Sequence, residues 1–127
     1  MLIKRKNLLE LYEVHQNLKN KNINLSLNLK YKVLKFLSII KEEIEITQTL
    51  IREISLKYAE IKDNKFITTP DGGIKIQDDK IPLLSSELDD FYYSKVQIPD
   101  FYYSLDEIEE FNLDWDELEI FLSLIKE

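Results

Sequence analysis

From about residue 29 to residue 62 the chain has neither Gly nor Pro, so nothing in that stretch breaks a helix. Within it Leu37, Ile40, Ile44, Thr47, Ile51, Ile54, Tyr58 and Ile61 recur at alternating steps of three and four. That spacing marks one side of an α-helix and also a heptad seam. At 1.5 Å per residue the helix would be a rod of roughly 50 Å. Leu34, Phe36, Ile39, Ile46, Leu50 and Leu56 lie outside the seam and widen the apolar side beyond what a two-stranded coiled coil uses. Two arrangements follow: a core helix packed on by several elements, or the seam of a homodimer through the long helix. Thr47, the polar seam member, would bond its own helix carbonyl in the first and set register in the second.

A chain of 127 residues has the length of one domain and can bury a real core. With no cysteine, disulfides and thiolate metal sites are excluded. The N-terminal apolar run is too short for a signal peptide, and no window reaches the ~18 apolar residues of a membrane span. A cytoplasmic protein without a membrane partner is expected. Charge is divided unevenly. Residues 1–65 hold 13 Lys and Arg against 8 Asp and Glu, a net +5, and residues 66–127 hold 4 against 16, a net −12. Such asymmetry points to a nucleic-acid-binding half, to an acidic partner-binding half, or to halves that neutralise each other in the fold.

Taken in order, Leu2–Lys4 reads as a short strand or a frayed end. Asn7 with Glu10 resembles a capping box, opening a helix to about Asn20. His15, the only histidine, lies in that helix without Cys partners and reads as a packing or surface side chain. Strict alternation from Ile23 predicts a strand or extended linker at 23–27, and the long helix then starts near Asn28 as its cap. It ends near Asp63–Asn64. Phe66–Thr69, the turn Pro70-Asp71-Gly72-Gly73 and Ile74–Ile76 predict a β-hairpin. Both glycines of the chain fall in this turn; no strand–loop–helix context supports a phosphate loop.

Beyond the solvated Asp78–Lys80, a short helix is predicted from Ser85 to about Tyr93, capped by Ser85 or Ser86. Val96–Pro99 reads as extended. Ser104-x-x-Glu107 and Asp114-x-x-Glu117 are capping boxes, the first opening a helix to about Phe111. The second opens a helix with Trp115, Leu118, Phe121, Leu122 and Ile125 on one side. Together these predict an α+β fold, mainly α: one long central helix with shorter packed helices and a small β-hairpin or antiparallel sheet. The single domain of residues 1–127 divides into an N-terminal helical part (about 1–63), the hairpin (about 65–77) and an acidic, aromatic C-terminal part (about 81–127).

One pentapeptide repeats: Asp90-Phe91-Tyr92-Tyr93-Ser94 returns as Asp100-Phe101-Tyr102-Tyr103-Ser104. So many aromatics cannot all point inward from one strand or helix, and exposed Tyr is enriched at interfaces. The carboxylates that follow lack calcium-loop spacing and complement helix N-termini. They form a solvated side or a partner-facing patch, and a −12 surface can also imitate a phosphate backbone. The candidate partner-binding residues are Tyr92, Tyr93, Tyr102, Tyr103, Asp106, Glu107, Glu109, Glu110, Asp116 and Glu119. The basic stretch of residues 1–41 would serve nucleic acid, but Arg, the residue that clamps phosphates and reads bases, occurs only at positions 5 and 52, which disfavours it. No nucleophile–base pair, nucleotide loop or metal cluster is recognisable, so no catalytic residue, metal or cofactor is assigned and enzyme activity is not expected.

The pattern LxLKYKVLKFL leading into a long helix that closes on REISLKYAEIKD, then a Gly-containing hairpin and an acidic end at LEIFLSLIKE, resembles a family of small phage and prophage proteins of low-GC bacteria. The matching stretches are residues 27–63, 72–76 and 114–127; the repeated pentapeptide lies outside the pattern. The resemblance implies a phage or mobile-element origin and no catalytic residues. The expected function is therefore a non-enzymatic protein–protein interaction protein with a host or phage partner, such as an inhibitor of a host protein or defence complex. A virion structural or assembly role is the alternative, and nucleic-acid binding through the basic half a further one.

Overall fold

The computed structural model describes residues 1–21 and 24–126. The fold is α+β and mainly α, 65% helical, with one long helix. In chain order the elements are β1 (Leu2–Lys4), α1 (Arg5–Asn20), α2 (Leu27–Lys57), β2 (Ile61–Lys62), β3 (Lys65–Phe66), α3 (Ile81–Tyr93), β4 (Lys95–Gln97), α4 (Leu105–Phe111) and α5 (Trp115–Phe121). Two compact units are present: Met1–Ile44 with Lys95–Glu127, and Glu45–Ser94.

In the first unit the N-terminal strand meets the segment that follows α3. β1 pairs antiparallel with β4, Ile3 opposite Val96, and both of these side chains are buried. The Met1 amino group donates to the Ile98 carbonyl at 2.7 Å and to the Asp100 carboxylate at 2.8 Å, which holds the Asp100 carboxyl below its ordinary pKa. Core residues come from α1 (Leu8, Leu11, Val14, Leu18), from α2 (Leu29, Val33, Phe36, Ile40, Ile44) and from the C-terminal part (Tyr103, Ile108, Phe111, Phe121, Leu124). Burial along α2 recurs at steps of four and three, so one stripe faces the core.

The sequence expectations need several corrections here. Ile23 lies outside the described residues, and Asn24–Ser26 form no strand; Leu25 is nevertheless buried. α2 is capped by Ser26, whose hydroxyl accepts from the Leu29 N–H at 3.3 Å, instead of by Asn28. Asn7 sits inside α1, which starts at Arg5 with Lys4 in the cap position and no side-chain cap. The two C-terminal capping boxes form as expected, at Ser104–Glu107 and Asp114–Glu117. Of the heptad seam, Ile40, Ile44 and Thr47 are buried within the chain, which leaves them unavailable to a second helix.

In the second unit α2 ends at Lys57. Asp63 and Asn64 are not its terminus but the two-residue turn between β2 and β3, both with positive φ (54° and 62°). That is type I′ geometry, which Asp and Asn tolerate. The expected Pro70–Gly73 hairpin forms as well: Thr68 bridges Ile74, the Gly72 N–H donates to the Thr69 carbonyl, and Gly72 takes φ +88°. The Thr69 hydroxyl and the Gly73 N–H both donate to the Asp71 carboxylate. Asp78–Lys80 is a 3-10 turn leading into α3, which starts at Ile81, four residues before the expected Ser85, with Pro82 in its first turn. Proline suits that position because its missing N–H has no helical acceptor there. Ala59 and Thr47 are the buried residues of this unit among those described.

Candidate partner-binding face

The acidic helices α4 and α5 stand on an aromatic base. Tyr103 is fully buried and its ring centre lies 5.2 Å from Phe111, 5.1 Å from Phe101 and 5.8 Å from Phe121. His15, also fully buried, stacks on Phe121 at 4.8 Å and lies 4.4 Å from Phe36. Its Nδ1 is 2.7 Å from the Leu11 carbonyl; a carbonyl only accepts, so Nδ1–H donates. Nε2 then accepts from the Tyr103 hydroxyl at 3.1 Å. Burial lowers the His15 pKa to about 4, against a partial offset from the Leu11 bond, and burial raises that of Tyr103. This is a neutral, satisfied packing histidine, one of the two sequence readings.

Lys32 of α2 fastens α4 to this base. Its Nζ donates to the Glu107 carboxylate at 2.8 Å and to the Tyr102 carbonyl at 3.0 Å, and it lies 5.0 Å from the centre of the Tyr103 ring. Burial opposes the Glu107 charge, yet hydrogen bonds from Lys32 and the Ser104 N–H hold its pKa below the ordinary value.

These contacts sort the candidate residues. Tyr103 is core and presents nothing to a partner, because its hydroxyl and ring are enclosed by His15, Phe111 and Phe121. Glu107 is committed to Lys32 and to the cap of α4. Tyr92 is half-buried and Tyr93 exposed; both belong to the second unit, and the acidic helices belong to the first. Tyr102 is on the surface, with the Lys126 ammonium 5.6 Å from its ring centre. Asp106, Glu109, Glu110, Asp116 and Glu119 are exposed, and none of these five has an ion-pair partner among the described residues.

Trp115 is the residue that sequence reasoning misplaced. It is 88% exposed, and Leu122 is 61% exposed. The reason is which stripe of the segment is buried. α5 lasts seven residues and Leu122–Leu124 form a 3-10 turn. Phe121 and Leu124 are buried and Leu118 is half-buried, and at 3.6 residues per turn Trp115 and Leu122 point well away from that stripe. Trp115, Glu119 and Leu122, spaced i, i+4, i+7, then share one side of the helix. Beside it runs a groove of about 630 Å³ lined by Lys6, Glu10, Asp116, Glu119 and Ile120 among others. A solvated apolar pair at i, i+7 with a carboxylate between them was a signal available in the sequence.

A second surface lies in the same unit. Leu27, Tyr31 and Leu34 of α2, again i, i+4, i+7, are 84%, 62% and 52% exposed. Leu34 joins Leu18, Leu25 and Val33 in a smaller groove of about 210 Å³, rimmed by Lys19, Lys21 and Lys30. Elsewhere Arg5 pairs with Glu43, Lys32 with Glu107, Lys57 with Glu87 and Lys75 with Glu60.

Comparison with protein-family models, curated proteins and solved structures finds no match. Among the described residues, no three His, Asp or Glu side chains gather as a metal ion would need, and no helix is long and apolar enough to cross a membrane.

Proposed function

We propose that this chain is a non-enzymatic protein-binding module whose acidic face around Trp115 docks a partner with a basic surface. The observation that carries the reading is the exposure of Trp115, 88%, in a row of carboxylates. Burying an indole yields a large apolar gain, and Trp with a charged rim is the composition of a binding hot spot. Asp116 and Glu119 on α5, with Asp106, Glu109 and Glu110 on α4, would steer a cationic partner toward it. The resemblance to phage and prophage proteins supplies a setting in which such a partner is a host protein held inactive by capture.

Trp115 is the only tryptophan, so the proposed contact reports on itself. The test is capture by the tagged chain from a nuclease-treated lysate of a low-GC bacterium, followed by titration of the captured protein against Trp115 fluorescence. The expected result is a basic protein in fixed ratio that shifts the emission to the blue and is lost on Trp115→Ala or on Asp116→Lys with Glu119→Lys. Equal capture by all three chains would sink the proposal.

A further inference from the structure

We infer that the lysine-rimmed groove between the end of α1 and the start of α2 docks an acidic amphipathic helix of another protein. This groove shares no lining residue with the one beside Trp115. The site is therefore a second one, of opposite sign, and does not rest on the reading of the acidic face.

Charge complementarity carries the inference. Residues 14–41 contain six Lys and no Asp or Glu. Two of the six are paired with carboxylates of the C-terminal part, Lys32 with Glu107 and Lys21 with Glu117. Lys19, Lys30, Lys35 and Lys41 have no ion-pair partner among the described residues. Lys19 and Lys30 stand on the groove rim, and no carboxylate lines the groove among the described residues. Carboxylates of a partner would meet these ammonium groups across the rim.

Shape decides what kind of anion fits. Leu18, Leu25 and Val33 line the groove from buried positions, and Leu34 lines it while 52% exposed. The volume of about 210 Å³ is below the ~300–1,000 Å³ of a pocket that encloses a free small molecule. Such a space admits projecting apolar side chains of a larger partner. Leu34 also ends the exposed row Leu27, Tyr31, Leu34, which runs about 10 Å along α2. At 3.6 residues per turn Lys30 falls on one side of that row and Lys35 on the other. A partner helix with apolar residues at i, i+3 or i+4, and i+7 matches the row, and Asp or Glu on its flanks matches the lysines. An anionic bilayer would cover the row, but the buried floor is reached by a projecting side chain.

The experiment is selection of displayed random peptides of about 16 residues, roughly four helical turns, against the immobilised full chain at low salt. The enriched sequence is then made as a fluorescein-labelled peptide and titrated by anisotropy. The expected consensus has apolar residues at helical spacing flanked by Asp and Glu, and its binding weakens as added salt screens the rim. Lys19→Glu with Lys30→Glu should weaken it by about tenfold or more, and so should Leu34→Asp, which sets a carboxylate in the apolar row. Lys19→Gln with Lys30→Gln should weaken it by a smaller factor. Lys62→Glu with Lys65→Glu changes the net charge equally at exposed positions of the second unit and should leave binding within about twofold.

No enriched peptide overturns the inference. So does an acidic peptide that binds all these variants, with wild-type helical circular dichroism, as tightly as the wild-type chain, or one weakened as much by Lys62→Glu with Lys65→Glu as by the groove pair. Enrichment of basic sequences alone overturns it too, while agreeing with the acidic-face reading. Phosphatidylserine vesicles that sediment the chain through Lys19 and Lys30 when no acidic peptide is enriched would assign the groove to a membrane surface instead.

Discussion

The same five residues, Asp-Phe-Tyr-Tyr-Ser, occur twice in this chain and fold in two different ways. At 90–94 they finish α3: Asp90 to Tyr93 are helical and Ser94 lies just past the end, its N–H bonded to the Phe91 carbonyl. At 100–104 they run extended, Tyr103 bridges Ile125, and Ser104 opens α4 as its N-cap. The middle tyrosine is half-buried in the first copy and exposed in the second; the last is exposed in the first and enclosed in the second. Local sequence is identical, so the difference comes from what flanks each copy. Leu84, Glu87 and Leu88 precede the first at helical spacing, whereas Pro99 precedes the second. Proline denies the residue before it the α region and has no N–H to continue a helix. An aromatic pentapeptide has no fixed structure of its own, and the surrounding unit decides.

The two last tyrosines should therefore respond very differently to truncation, and this is the largest effect expected. Tyr103→Ala removes a ring packed against Phe101, Phe111 and Phe121 and leaves His15 Nε2 without its donor. A cost of about 3–5 kcal/mol follows from the cavity, with the lost hydrogen bond adding to it. Tyr93→Ala, at a position 56% exposed, should cost less than about 1 kcal/mol. Urea denaturation of both variants decides the matter. Similar costs would mean that the second copy is not the buried one.

The second copy touches the imidazole of His15, which gives the comparison a pH signature. His15 is held neutral in the fold, its pKa lowered from 6.5 to about 4. Above pH 6.5 both folded and unfolded chains carry neutral imidazole, and its contribution is complete. Between pH 6.5 and about 4 the unfolded chain takes up a proton that the folded one refuses, so stability falls with pH. The full loss is about 3 kcal/mol. The groups facing His15 are the Leu11 carbonyl, the Tyr103 hydroxyl and the rings of Phe36 and Phe121, with Glu107 and Lys32 beyond Tyr103. His15→Phe keeps a ring in the stack and removes the titration. The wild-type chain should lose this much more stability than the variant between pH 7 and 4, read from urea midpoints. Parallel pH profiles would show that His15 protonates freely in the fold.

The contrast also marks what the sequence made legible. Wherever one side chain supplies the reason locally, the reading holds: Ser104 with Glu107 and Asp114 with Glu117 are capping boxes in the fold, Pro70–Gly73 is a turn, and the unbroken stretch before Lys57 is a helix. Where the reason is tertiary, it fails. Alternation from Ile23 imitates a strand because Leu25 and Leu29 are both buried, one from a loop and one from a helix. Trp115 looked like a core residue because its i, i+3 and i+7 spacing joins it to Leu118 and Leu122, whereas the buried stripe runs through Phe121 and Leu124. Asp63–Asn64 was a hairpin turn read as a helix end, since both are built from the same polar residues. The acidic patch was visible as composition, but which tyrosine and which glutamate remain on the surface depended on Lys32 and His15, far away in sequence.

The two serines sharpen the comparison at the smallest scale. Ser104 accepts from the Glu107 N–H at 3.2 Å while the Glu107 carboxylate accepts from the Ser104 N–H at 2.9 Å, and the same carboxylate takes the Lys32 ammonium. Ser104→Ala removes one side of this reciprocal pair and should cost about 1 kcal/mol. Ser94 instead donates its hydroxyl to the Phe91 carbonyl at the C-terminal end of α3, where water replaces it at little cost. Ser94→Ala should change stability by no more than about 0.5 kcal/mol. Because Lys32 would still hold Glu107, the Ser104 loss should grow in a Lys32→Met background, where the carboxylate is fixed by neither partner. A double-mutant cycle that returned simple additivity would separate the cap from the ion pair. Ser104 and Ser94 would then differ only in which end of a helix each one bonds.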